Sequence, residues 1–140
     1  MSYVNNRLFG KRILVVEPSY LIARHLCDVL RKRGVFQLGP AATEAQAHDI
    51  VSDNAVQAVI FNAELREGTL AAVLAFRLAA WNIPSLLLTH LHLPQTHPLR
   101  RGRPQLIYPF LDHQLEQAVE ALFAPPATAS FWTTASADVP

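Results

Sequence analysis

Short apolar runs alternate along the chain with stretches of helical period. Residues 12–17 hold Ile13, Leu14, Val15 and Val16 in a row. A short apolar run bounded by polar residues suits a strand buried on both faces. Pro18 and Ser19 end it, Pro18 being tolerated near a helix start, and residues 19–33 read as a helix with Ile22, Leu26, Val29 and Leu30 on one face. Arg31, Lys32 and Arg33 fill its last turn and Gly34 stops it. A second strand, 35–38, closes at Gly39-Pro40. Thr43 caps a helix over 44–52 that faces Ala47, Ile50 and Val51 inward. Asp53 and Asn54 turn the chain into a central strand, 56–61, whose apolar run stops at Asn62. Glu67-Gly68-Thr69 reads as a turn and cap for a third helix, with Leu70, Val73, Leu74, Leu78 and Trp81 inward. Asn82-Ile83-Pro84 breaks that helix. Residues 85–88 form a fourth strand ending at Thr89.

Residues 90–104 carry Pro94, Pro98, Gly102 and Pro104 and show no coherent apolar face. A fifth strand, 105–108, leads to a last helix with Leu111, Leu115, Ala118, Val119 and Leu122 on its apolar side. The expected division is an N-terminal arm, 1–10, one domain, 11–123, and a flexible Ala/Thr/Ser/Pro-rich tail, 124–140, in which Phe131-Trp132 offers a docking feature. The order is β-α-β-α-β-α-β-loop-β-α. Strands alternating with helices imply right-handed βαβ units, a parallel sheet and an α/β fold.

Composition narrows the class. A chain of 140 residues fits one domain with a sizeable core, and 51% apolar with 16% charged residues is a globular balance. A net charge of +1 gives no general pull toward nucleic acid or membrane. Cys27 is the single cysteine, so no internal disulfide is possible, and it is expected to pack inside the first helix. No run has signal-peptide or membrane-span length. A soluble cytoplasmic protein is expected.

In open α/β sheets, chemistry gathers outside the carboxyl ends of the strands. Asn62 stands at such an end; taken alone, it reads as a polar strand-end residue serving a turn. His90, His92 and His97 lie in one loop without the cysteines of a strong zinc signature, and no metal site is assigned. Arg100, Arg101 and Arg103 read as a solvated basic patch. Neither a glycine-rich phosphate loop nor a Ser/His/Asp or Cys/His arrangement is present.

Further points fall together: the acidic end of 12–17, Gly-Val-Phe-Gln-Leu-Gly-Pro-Ala at 34–41, and Glu67-Gly68 after the central strand. Ile83-Pro84 precedes the fourth strand, Thr89 ends it, and Tyr108-Pro109-Phe110 follows the fifth. With these, residues 11–123 resemble a response-regulator receiver domain, the CheY-like, flavodoxin-like (βα)5 fold with five parallel strands and helices on both faces. The irregular 90–104 piece is similar to alphaproteobacterial single-domain receivers with a reshaped, degenerate fourth helix.

The resemblance implies a phosphorylation pocket. In the family, two neighbouring acids after the first strand hold Mg²⁺, and an aspartate ending the third strand takes the phosphoryl group. A hydroxyl after the fourth strand and a lysine after the fifth contact its oxygens. Cations are needed there to neutralise charge on the transferring group. This chain departs from the pattern at three places: Pro18 beside Glu17, Asn62 for the acceptor, and Tyr108 for the lysine. Only Glu17 and Thr89 remain of the usual group. The expectation is a pseudo-receiver, not an enzyme, with no cofactor and weak or absent Mg²⁺ binding.

Such a protein acts in two-component signal transduction by protein–protein interaction. The implied partners are a sensor histidine kinase, another signalling protein or a second copy of itself, and neither nucleic acid nor membrane. The expected interaction face is Gln105, Tyr108, Phe110, Leu111 and Leu115. Two alternatives stand beside it: a receiver phosphorylated on a non-standard residue, with Glu64 or Glu17 as the nearest carboxylates, and a small flavodoxin-like ligand binder or enzyme.

Overall fold

A computed structural model describes residues 6–66 and 70–124. In chain order the elements are β1 (Arg12–Val16), α1 (Tyr20–Lys32), β2 (Phe36–Ala41), α2 (Glu44–Asp53) and β3 (Ala58–Asn62). There follow α3 (Ala72–Ala80), β4 (Ser85–Thr89), β5 (Gln105–Ile107) and α4 (Asp112–Leu122). The five strands form one parallel sheet in the order β2-β1-β3-β4-β5. Alternate strand residues face two apolar layers. Ile13, Val15, Ile60, Leu86 and Leu88 pack with Leu26 and Leu30 of α1 and Leu115 and Val119 of α4. Leu14, Val16, Val59, Phe61 and Leu87 pack with Ala47 of α2 and Leu74 and Leu78 of α3.

Local chemistry accounts for the helix starts. Thr43 Oγ1 accepts from Gln46 N, as the cap expected from sequence, and Ser19, read as the first helical residue, instead caps α1 by accepting from Ile22 N. Helix α3 has no side-chain cap of its own. Instead Glu44 of α2 reaches across and accepts from Leu74 N at 2.7 Å.

Several expectations change. β2 does not stop at Gly39-Pro40; it runs on to Ala41, with a register shift where Val16 pairs Ala41. Gly39 sits at φ +84 with Val15 O only 2.8 Å from where a Cβ would lie, so glycine is required there. In α3 the inward residues are Leu74, Ala75 and Leu78, while Leu70, Val73 and Trp81 are exposed. The expected turn at 67–69, and the tail from 125 onward with Phe131-Trp132, lie outside the described residues. Within residues 6–10, Leu8 is fully buried in the core, and Asn6 Nδ2 donates to Arg33 O.

The connection between β4 and β5 contains turns and no helix. It still closes the second layer, because Leu99 is buried there and Leu93 packs beside it. The expected solvated arginine patch is only one-third correct. Arg101 is exposed, but Arg100 donates to Leu93 O and Arg103 O, and Arg103 is 7% exposed. Arg103 donates to Ser85 Oγ (2.8 Å), Leu99 O (2.7 Å) and Ala75 O (2.9 Å). One side chain thus staples the loop to α3 and to the start of β4. Burial lowers its pKa.

Candidate functional site

The carboxyl ends of β1, β3 and β4 bring Glu17, Asn62 and Thr89 to one edge of the sheet, all three buried. Burial of a polar strand end needs partners, since an unsatisfied polar group there costs about 1–3 kcal/mol. Glu17 and Asn62 find them partly in each other. Asn62 Nδ2 donates to Glu17 Oε1 at 2.9 Å, and Tyr108 OH donates to the same oxygen at 3.0 Å. Ser19 N donates to Glu17 Oε2 at 3.0 Å. Asn62 Oδ1 accepts from Glu64 N at 2.9 Å, so both ends of the amide are engaged. Glu17, 3% exposed, therefore holds its carboxylate among three donors.

Tyr108 follows β5 and is joined to Pro109 by a cis peptide. Its ring stacks on His90 at 4.6 Å between centroids and meets Phe110 at 4.9 Å. Burial, reinforced by the Glu17 charge and the hydrogen bond to it, pushes the phenol pKa well above its ordinary value. Its proton is thereby kept for Glu17.

Of the sequence-derived positions, Glu17, Asn62 and Tyr108 converge, with Pro18 next in chain and bringing neither charge nor donor. Thr89 does not join them. Its hydroxyl donates to Leu91 O and accepts from Leu91 N, closing a turn of its own. With Asn62, Glu64, His90 and His97 it lines a cleft of about 150 Å³. Sequence reasoning missed Ser19 N and the His90 stack; the helix start read at Ser19 marked the right turn of chain but not the carboxylate it serves. His97 Nδ1 accepts from Leu99 N. Among the described residues no three His, Cys, Asp or Glu side chains gather to hold a metal. Cys27 is buried, and burial raises its thiol pKa.

The expected interaction face is only partly a surface. Leu115 is fully buried and belongs to the core between α4 and the sheet, a correction to its assignment. Gln105 is half-buried and its side chain bonds the backbone of Leu93. Leu111 is exposed. Tyr108, Pro109 and Phe110 line a groove of about 290 Å³ with Leu21, Ile22, His25 and Leu26 of α1. His25 Nε2 and Asp112 Oδ1, 2.7 Å apart, join α1 to α4.

Sheet order and strand-end pocket together define a receiver-type α/β domain. No protein-family model matches the chain, and no curated protein matches it. Among solved structures it is similar to SdrG of Sphingomonas melonis Fr1, at 32% identity over 82% of this chain and 98% of that one, TM-score 0.70. SdrG of Pseudomonas melonis Fr1 in its BeF₃-activated conformation gives 33% identity, 79% and 94% coverage and a TM-score of 0.67. The PhyR response-regulator receiver domain of Erythrobacter litoralis shares the fold, at 21% identity, 82% and 91% coverage and TM-score 0.70. The chain belongs to the response-regulator receiver family, as its resemblance to that family implied. No helix among the described residues is long and apolar enough to cross a membrane.

Proposed function

We propose that this receiver signals by protein–protein contact without phosphorylation at the usual acceptor position. The observation that carries the reading is the closed network around Glu17, with both carboxylate oxygens occupied by Asn62, Tyr108 and Ser19 N. A phosphoacceptor must offer a nucleophilic carboxylate beside a metal, and Asn62 offers an amide already bonded at both ends. Mg²⁺ demands near-octahedral oxygen ligands and binds here in the family through paired acids. These residues do not fit it: one carboxylate remains, and it would have to give up three donors to become a ligand. No step is routed through the metal.

A protein so built works by presenting a surface. The groove between α1 and the segment 108–110, with Tyr20, Leu21 and Leu111 exposed, supports docking of a sensor kinase or another signalling protein. Tyr108 spans pocket and groove, so the network that replaces the phosphoryl site also fixes the groove wall in a single state.

Incubation with acetyl phosphate and Mg²⁺, followed by intact mass, tests the reading. Wild type should keep its mass. The triple change Pro18→Asp, Asn62→Asp, Tyr108→Lys should gain a phosphoryl group, because it rebuilds acid pair, acceptor and cation together. A wild-type adduct mapped to Glu64 would establish the non-standard acceptor instead, and a folded but inert triple variant would show that these positions are not the pocket.

A further inference from the structure

Helix α3 is apolar almost all round: eight of its nine residues are apolar, and Arg77 is the exception. A helix of that composition is normally covered on every side. Here only Leu74, Ala75 and Leu78 are buried. Ala72, Val73, Phe76, Ala79 and Ala80 face solvent, and Phe76 is 74% exposed. Beside this face lies a cleft of about 140 Å³, lined by Ala72, Ala75, Phe76 and Ala79 of the helix and by Pro98, Arg101 and Arg103 of the β4–β5 loop. The cleft lies between the exposed flank of α3 and this loop, which contains turns and no helix.

Charge indicates what covers it. Among the described residues no carboxylate lines the cleft. Arg77 and Arg101 are exposed, and among the described residues neither they nor Arg103 makes an ion pair. We infer that the outer face of α3 and the 98–103 loop dock an acidic amphipathic helix from a protein partner. One apolar side chain of that helix enters the cleft against Phe76, and its flanking carboxylates meet Arg77 and Arg101. A bilayer fits less well, since it favours a convex apolar face with many basic residues, whereas this cleft is concave with two exposed arginines. A second copy fits less well too. Of its helix acids, Glu44 is engaged by Leu74 N, Asp28 by Arg31, Glu116 and Glu120 by Arg33 and Asp112 by His25, which among the described residues leaves Asp49 and Asp53 of α2 as the exposed helix acids it could offer.

This inference rests on the reading of the chain as a protein that acts by binding, but not on the state of the Asn62 pocket. Two labelled peptides serve as probes for the full chain. Both carry leucines at helical spacing; the other positions are Glu in one and Lys in the other. The Glu peptide should bind, weaken as salt rises, and lose about tenfold or more in affinity with Phe76→Ala or Arg101→Glu. Arg24→Glu on exposed α1 should change nothing. The double change Arg77→Glu, Arg101→Glu should transfer binding to the Lys peptide. Equal binding of both peptides, or indifference to Phe76→Ala, overturns the inference. So does Phe76-dependent binding to phosphatidylserine vesicles without peptide binding, which would assign the face to a membrane. Phe76-dependent dimerisation without peptide binding would likewise assign it to a second copy. The acetyl phosphate result bears on the Glu17 pocket alone, so failure of either reading is distinguishable from failure of the other.

Discussion

Asn62→Asp restores the atom a receiver uses as nucleophile and places it against Glu17. In the native chain, Nδ2 donates to Glu17 Oε1 across 2.9 Å. The variant loses that charge-assisted bond, worth about 1.5–3 kcal/mol. It also faces one carboxylate with another. Two charges at that separation repel by about 5–6 kcal/mol at an effective dielectric constant of about 20. Protonating the introduced carboxyl avoids the repulsion but costs about 1.4 kcal/mol per pH unit above its ordinary value near 3.9. That is about 1.5 kcal/mol at roughly pH 5 and between 5 and 6 at roughly pH 8. The introduced group's folded pKa is raised, so the unfolded state releases its proton first and stability falls as pH rises through that interval. For a domain whose whole stability is about 5–15 kcal/mol, the variant approaches its limit of folding at the upper end. Mg²⁺ should return part of the loss by binding the folded acid pair. Urea unfolding of both proteins at the two pH values, with and without Mg²⁺, is the assay. A variant whose deficit is the same at both pH values would refute the argument, because Asn62 and Glu17 would then not be in contact.

Tyr108→Phe removes one donor to Glu17 and should cost about 1.5–3 kcal/mol by urea midpoint. The folded phenol pKa is raised, so wild-type stability should decline above about pH 10, where unfolded tyrosine ionises. The decline should be shallower in Tyr108→Phe, and equal slopes would count against the buried phenol. Arg103→Met leaves Leu99 O, Ala75 O and Ser85 Oγ short of a donor, offset by relief from a buried cation, for a net loss of about 2–4 kcal/mol. Arg103→Lys should recover little, since an ammonium lacks the planar fork; wild-type stability in either variant would refute the staple. Leu8→Ala should cost about 2–5 kcal/mol in thermal or urea unfolding, and a change near zero would place residue 8 outside the core.

Much of the fold was legible because both faces of the sheet are covered, which makes strands read as unbroken apolar runs. Thr43 was legible as a cap because capping is decided within three residues. What failed was non-local. Gly39-Pro40 reads locally as a stop, yet pairing with β1 resumes beyond it at Ala41. The inward side of α3 was misjudged because it is apolar on most sides, so periodicity could not choose between Val73 and Ala75. Arg103 sits among prolines and arginines that look solvated, and its partners are 4, 18 and 28 residues away. Glu17 and Tyr108 are 91 residues apart, and no local pattern joins them. Their meeting followed from strand order and from the receiver resemblance.

The arginine staple also changes how the β4–β5 connection can open. A helix closes its hydrogen bonds within its own sequence and can fray or shift as a body. Beyond the turn bonds within its own sequence, this connection is tied to elements elsewhere: Arg103 to α3 and β4, and Leu93 to Gln105 of β5. Its opening is therefore tied to theirs, and the segment shares their cooperative unit instead of forming a weak one of its own. Amide exchange at Leu93 and Leu99 should then follow the slow exchange of the sheet, in a stretch that secondary structure alone would assign to the fast-exchanging loops.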